Sequence, residues 1–447
     1  MSPVLGSTPQ WRRRRAAGIG VVAVASLMLA ACGGGSSGGS ASGGASGDSN
    51  KPVKLVFWHN ANSEPGLSWY KKVADDYTKA HPNVTIEQVP LQSEDMKAKI
   101  RVAMQSNNPP DLFHQWGGGQ MKEQIDAGKL MDLTEATSSW IGELGSTPSN
   151  WQLNGKTYGI PYSAGAVGFW YRKDLFTKAG VTAAPKTVEE LLAAAAKIKA
   201  AGIEPIAIGA KDKWPAAFWY DYYVVRACQP KVLTDAVSTL KFDDACWLDA
   251  AKEFQKVATA QPFNKGYLGT SAQQGAGSSA GQLATGKAAM ELMGQWNPSV
   301  IQSLTTDQKA LSADKLGWFP FPTVSSLKGT QDGVLGGGDG YSCSAKAPKE
   351  CVDFLKFFVS ADVQKDYTKV IGNLPVNKGA SVAVTDPNLK LILEARDKAP
   401  LFQTYLDVAF GQEVGDALNE AVVQQLAGKA TPEQVVKAIQ TAAEQAQ

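Results

Sequence analysis

The sequence predicts an α/β protein with helices in excess, divided between two domains. Three observations predict it. From Val53 onward, short runs rich in β-branched and aromatic residues alternate with longer stretches of helical periodicity, the pattern of strands joined by crossover helices. The 447 residues exceed what one compact core usually holds. Hydrophobic residues at 44% against charged residues at 19% give a globular composition, and a formal net charge of +2 excludes a basic nucleic-acid binder.

Val53-Lys-Leu-Val-Phe-Trp58 alternates and reads as the first strand, and Gly66 to Ala80 is a helix stopped by His81-Pro82-Asn83. Val84 to Val89 is the next strand, Glu94 to Gln105 a helix, and Asp111 to Gln115 a third strand, which completes a βαβαβ opening with a parallel sheet. Helix Gln120 to Ala127 follows. The turn Asn154-Gly155 introduces a short strand, Thr157 to Pro161, and Ala164 to Tyr171 is a further strand. Thr187 to Ala201, Ala216 to Arg226, Leu248 to Ala260, Gly281 to Thr285 and Pro348 to Ser360 are helical, with a strand at Pro205 to Ile208. The chain from Leu389 is helical with interruptions at Pro400 and Gly411.

The first 50 residues stand apart. Arg12 to Arg15 precede an apolar stretch of 16 residues, Ala16 to Ala31, too short for a span of roughly 20 residues, so residues 1–31 read as a secretory signal. Leu29-Ala-Ala-Cys32 resembles the bacterial lipobox, which makes Cys32 the expected site of lipidation. Residues 32–50 are then a lipid-anchored Gly/Ser tether, with a typical end-to-end distance of about 25 Å. The remaining cysteines, Cys228, Cys246, Cys343 and Cys351, are even in number in an exported chain and predict two disulfides. Pairing Cys228 with Cys246 and Cys343 with Cys351 is favoured because each pair is close in sequence.

In open α/β sheets ligands bind beyond the carboxyl ends of the strands. The residues there are Trp58-His59-Asn60, Gln115-Trp116, Tyr162 and Gln295-Trp296, aromatic rings set beside hydrogen-bonding side chains. A sugar presents apolar C–H faces and a rim of hydroxyls, so it calls for flat rings with fixed donors and acceptors. Trp214, at the head of the aromatic helix, is a further stacking candidate. Asp339 lies in Gly336-Gly-Gly-Asp-Gly340, where the glycines fit either a tight turn or close approach of a ligand to Gly338 and its neighbours.

These segments together carry a resemblance. The lipobox, Trp58-His59-Asn60, Pro110-Asp-Leu-Phe with Trp116-Gly-Gly-Gly, Tyr158-Gly-Ile-Pro-Tyr162, Gly286-Lys-Ala-Ala-Met290 with Gly294-Gln-Trp296, and Gly338-Asp-Gly-Tyr341 occur in this order. The set resembles the extracellular solute-binding lipoproteins of carbohydrate ABC importers, the maltose-binding-protein-like group of Gram-positive bacteria. The resemblance implies a two-lobe periplasmic-binding-protein-like fold with three inter-lobe crossings, near Pro161, near Met290 to Trp296, and near Gly338 to Cys343. Residues 51–161 and 296–340 are then expected in the N-terminal lobe, and 162–295 and 341–447 in the C-terminal lobe. It implies an oligosaccharide held between the lobes by Trp58, His59, Asn60, Glu64, Gln115, Trp116, Tyr162, Trp214, Gln295, Trp296, Gly338 and Asp339. A short β-linked sugar such as xylobiose fits that expectation. The expected partners are the ABC permease subunits and, through the anchor, the membrane. The expected protein is a monomer on the extracellular face of the cytoplasmic membrane, without cofactor or metal and without catalytic activity.

Other readings remain. A secreted, lipid-anchored glycoside hydrolase would need two carboxylates flanking the scissile bond, with Glu64, Asp111, Glu291 and Asp339 as candidates that no local motif pairs. Gly281 to Lys287 matches a P-loop until Ala288 replaces the required hydroxyl. A binding protein for a peptide, a polyamine or iron is the third; His59 and His114 both follow strands and would have to meet for a metal site.

Overall fold

The structure is a computed structural model that describes residues 51–106 and 108–446. The signal segment, Cys32 and the tether lie outside the described residues. The strands are β1 (Val53–His59), β2 (Val84–Pro90), β3 (Leu112–Gln115), β4 (Gln152–Leu153), β5 (Lys156–Thr157), β6 (Ile160–Ala166), β7 (Gly168–Arg172), β8 (Glu204–Ala207), β9 (Ala288–Met293), β10 (Leu316–Pro320), β11 (Val334–Cys343) and β12 (Phe402–Thr404). Two sheets organise the fold. The first runs β12-β11-β3-β1-β2, with β6 also on β11; the second runs β10-β7-β9-β8. Strand β1 is parallel to both β2 and β3, as the βαβαβ opening predicts.

Each sheet has its own apolar core. Leu55, Phe57, Tyr77, Phe354 and Phe358 fill the first, with Met96, Ile100 and Phe113 in a satellite cluster on the opposite face of that sheet. Phe169, Trp170, Trp219, Trp247, Leu292 and Ile301 fill the second, together with the C-terminal helices Gln412–Leu426 and Pro432–Ala446. The helix starts follow local chemistry. The Gln92 side chain accepts from the N–H groups of Glu94 and Asp95, and both acids sit in the first turn of helix Ser93–Gln105, where the dipole favours them. Thr187 caps helix Val188–Ala200 by accepting from Glu190 N, and Pro215 opens helix Trp214–Ala227. The disulfides are Cys228–Cys246 and Cys343–Cys351, the pairing favoured from the sequence.

The chain passes from one core to the other three times. Ala164 belongs to the first core and Ala166 to the second, so β6 carries the first crossing into β7. Strand β11 carries the second, with Leu335 in the second core and Tyr341 in the first. The third lies between Ile371 and Val384, where Leu374 packs in the second core and Val376 in the first. This corrects two expectations. No crossing occurs at Met290 to Trp296, because β9 and β10 both pair with β7 and Ile301 packs in the second core. The segment 296–340 therefore stays with the second sheet until β11. Residues 341–371 return to the first core, Leu374 packs in the second and Val376 in the first, and from Val384 the chain packs in the second. Hydrophobic periodicity announces an element but not which sheet it joins, and neither β10 nor β11 is predicted as a strand from the sequence.

The glycine run is likewise not a turn. Residues Gly336–Tyr341 pair antiparallel with β6, and the glycines are there for contact rather than for left-handed backbone. A Cβ on Gly338 would lie 2.2 Å from the Ser163 carbonyl oxygen, and one on Gly337 2.5 Å from the Tyr405 ring.

Candidate functional site

A cavity of about 200 Å³ opens between the two sheets, with β6 and β11 forming its back. Seven residues expected from the sequence line it: Asn60, Glu64, Trp116, Tyr162, Trp214, Trp296 and Asp339. Asn60 follows β1, Trp116 follows β3, and Trp296 follows β9 just before helix Asn297–Leu304.

The second lobe supplies an aromatic wall. The Trp214 and Trp296 ring centroids are 6.3 Å apart and tilted by 56°, and Trp214 meets Phe218 at 5.3 Å. Tyr405 stands edge-on to Trp296 at 6.4 Å. Trp296 Nε1 and the Tyr405 hydroxyl are buried without a protein partner, which leaves an N–H donor and a hydroxyl unsatisfied on residues that line the cavity. Burial pushes the Tyr405 hydroxyl well above its ordinary pKa, so it is a neutral O–H that can both donate and accept.

The first lobe and the crossing strands supply a mixed wall. Asp339 is only partly exposed, and its Oδ1 lies 2.9 Å from His114 Nε2. Behind it Tyr162 stacks on Tyr341 with centroids 4.8 Å apart, and the Tyr341 and Tyr70 hydroxyls meet at 2.6 Å. Trp116 is packed from behind by His114 at 4.4 Å and covered by the Lys97 ammonium 5.4 Å from its ring. Burial raises the Glu94 carboxyl above its usual range, partly offset by Lys97 at 3.4 Å.

Five expected residues stand behind this surface instead of on it. Trp58 is half-buried against the Met96 and Phe113 cluster. His59 is 1% exposed, bonded to Gln88 Oε1 at 3.0 Å and stacked on Tyr70; burial lowers its pKa to about 4, so it is a neutral core imidazole. Gln115 is buried, and its Oε1 accepts from the N–H groups of Trp116 and Gly117, which fixes the turn that presents Trp116. Gln295 is buried and donates to Ser163 Oγ at 3.2 Å. Gly338 packs against Ser163 and Trp151. For His59, Gln115, Gln295 and Gly338 the next residue, Asn60, Trp116, Trp296 or Asp339, is the one that lines the cavity.

The sequence reading passed over Tyr70, Glu94, Lys97, Phe218, Tyr367, Asn373, Tyr405 and Asp407, all of which line the cavity. Several sit inside helices or after late loops, away from the strand ends where a ligand is expected in an open α/β sheet. Of the four carboxylates weighed for hydrolysis, only Glu64 and Asp339 reach the cavity. Glu291 is buried beneath helix Asn297–Leu304, where Asn297 Nδ2 donates to it, and Asp111 accepts from Val56 N. His59 and His114 take separate partners, and among the described residues no group of three metal-ligating side chains forms.

Comparison with known proteins places this fold among relatives. The chain is 26% identical over 419 residues to the diacetylchitobiose binding protein of Streptomyces coelicolor, covering 87% of each chain. A solved structure from a study of xylan utilization by the thermophilic bacterium Caldanaerobius polysaccharolyticus superposes with a TM-score of 0.79 at 27% identity, over 87% of this chain and 99% of that one. A chitin oligosaccharide binding protein does so with a TM-score of 0.78 at 26% identity, over 88% and 99%. A family profile described as "Bacterial extracellular solute-binding protein" matches residues 60–365, more than half of the sequence. The chain belongs to the bacterial extracellular solute-binding proteins.

Proposed function

We infer that this protein is the extracellular sugar-binding component of an ABC importer, taking a short oligosaccharide between its two lobes. The observation that carries the reading is the convergence of Trp116, Trp214 and Trp296 on one cavity, beside unsatisfied polar atoms of Trp296 and Tyr405 and the carboxylate of Asp339. The indoles offer contact area to the C–H faces of pyranose rings, and the polar atoms offer partners to their hydroxyls. Relatives described as binding diacetylchitobiose and chitin oligosaccharides, and a neighbour from a study of xylan utilization, support the same substrate class. A short β-linked oligosaccharide, xylobiose among the candidates, is the ligand this reading favours.

The mechanism follows from the crossings. A ligand touching walls from both sheets binds the closed arrangement better than the open one, and that difference in affinity alone shifts the population. The closed form then presents a composite surface to the permease. Cys32 is the proposed lipid anchor and residues 33–50 the leash that keeps the monomeric binding domain near the membrane.

Tryptophan fluorescence of the purified protein, titrated with a panel of mono- and oligosaccharides and followed by chromatography of the mixture, tests the reading. Saturable change with the sugar recovered intact supports it. Release of shorter sugars instead establishes a hydrolase, and no response across the panel contradicts sugar binding.

A further inference from the structure

Behind Trp116 lies a second cavity, of about 320 Å³ against about 200 Å³ for the first. Ile100 and Met104 of helix Ser93–Gln105, Gln120 and Glu123 of helix Gly118–Asp126, and the end of β3 line it. Trp116 and Lys97 line both cavities, so the two adjoin at these side chains.

The chemistry of the second cavity is unusual for the back of a sheet. Five glutamines reach it: Gln105, Gln115, Gln120, Gln124 and Gln412. Gln115 and Gln124 are bonded to each other at 2.8 Å, whereas the side-chain amides of Gln105, Gln120 and Gln412 have no partner among the described residues. Two of the bordering cations are already paired, Lys97 with Glu94 at 3.4 Å and Arg101 with Asp416 at 3.2 Å. Glu123, His114 and Lys129 also border it, with Glu123 Oε1 accepting from Gln412 N at 2.9 Å, and between these groups the chamber offers side-chain amides, an indole and two apolar side chains. An amide donates and accepts at once, which is what a hydroxyl requires, and the apolar side chains suit C–H groups.

We propose that this side chamber receives a further sugar ring of the same ligand, so that the bound oligosaccharide runs from the cleft past Trp116 and is longer or more branched than the cleft alone would hold. The proposal rests on the sugar-binding reading and specifies its ligand. Trp116 then serves two neighbouring rings, and the Lys97 ammonium stays on the partition between them.

Calorimetry on the full chain with xylo-oligosaccharides and N-acetylglucosamine oligomers of two to six units tests it, using wild type, Ala127→Trp and Gln120→Ala. Ala127 is exposed and borders the chamber, so an indole there blocks it from the solvent side without entering the core. The expected result is affinity that rises beyond the disaccharide in one of the series. Ala127→Trp should lower affinity for the longer sugar at least tenfold while leaving the disaccharide within twofold. Gln120→Ala should act in the same direction, by several fold, and serves as the check should the indole disturb folding. Affinity independent of length, or variants that affect all lengths alike or none, overturns the chamber while leaving sugar binding intact. Binding of no sugar in the panel overturns both.

Discussion

His114 Nε2 stands 2.9 Å from Asp339 Oδ1, tying β3 of the first sheet to a carboxylate that β11 carries into the cavity. His114 is buried while Asp339 keeps 16% of its side chain exposed, so the acid is anchored on one side and open on the other. An acceptor held this way is set for a ligand hydroxyl and loses little freedom when one arrives.

Asp339→Ala should therefore weaken sugar binding at least tenfold, about 1.4 kcal/mol, and Asp339→Asn, which keeps an acceptor in place, should lose less. Isothermal calorimetry on both variants checks the order. Equal losses would mean that charge, not the acceptor, matters.

Trp296→Ala should also raise the dissociation constant at least tenfold, because it removes both a stacking surface and the unpartnered Nε1 donor. Circular dichroism should change little, since the indole is only partly buried and packs at the edge of the second core. Unchanged affinity removes Trp296 from the site.

Glu291 sits fully buried on β9, and burial raises its carboxyl from 4.5 to about 7, more than the hydrogen bond from Asn297 lowers it. A raised folded-state pKa gives stability that is complete below the unfolded value and is lost as pH rises through the folded one. Wild type should therefore lose stability to the Glu291→Gln variant as pH rises from about 4.5 through 7, by up to about 3 kcal/mol above that range. Urea unfolding of the pair across pH measures this, and parallel curves would show that Glu291 ionises without cost.

Arg226 is 2% exposed and gives its donors to the carbonyls of Phe321, Pro322, Thr330 and Gly333, the segment that leads from the second sheet into β11. Its charge survives burial, with a pKa lowered only to about 10. Arg226→Met keeps apolar bulk but strands those carbonyls, so it should destabilise the fold by at least about 3 kcal/mol. Thermal and urea unfolding test it; a near-neutral effect would mean the segment finds other donors.

Some of this was legible in the sequence and some was not, for physical reasons. The βαβαβ opening was read from Val53 to Gln115 because a buried parallel strand and a one-faced helix leave strong periodic signals. Strand β11 was missed because glycine has poor strand propensity, and what makes Gly336–Gly340 a strand is the crowding of Ser163, Trp151 and Tyr405 around it, which no local pattern reveals. At the site, strand ends located Asn60 and Trp116 and the glycine run located Asp339, but the alternation of side chains sent His59, Gln115 and Gly338 inward, and the sequence does not say which neighbour faces out. Tyr405 and Phe218 were out of reach because tertiary packing alone brings them to the aromatic wall.

A crystal structure of the protein grown with the tightest-binding oligosaccharide tests the central claim most directly. The account predicts sugar rings lying against Trp116, Trp214 and Trp296, with hydroxyls bonded to Asp339, Trp296 Nε1 and the Tyr405 hydroxyl. A ligand bound elsewhere on the molecule, with those three indoles untouched, would contradict it.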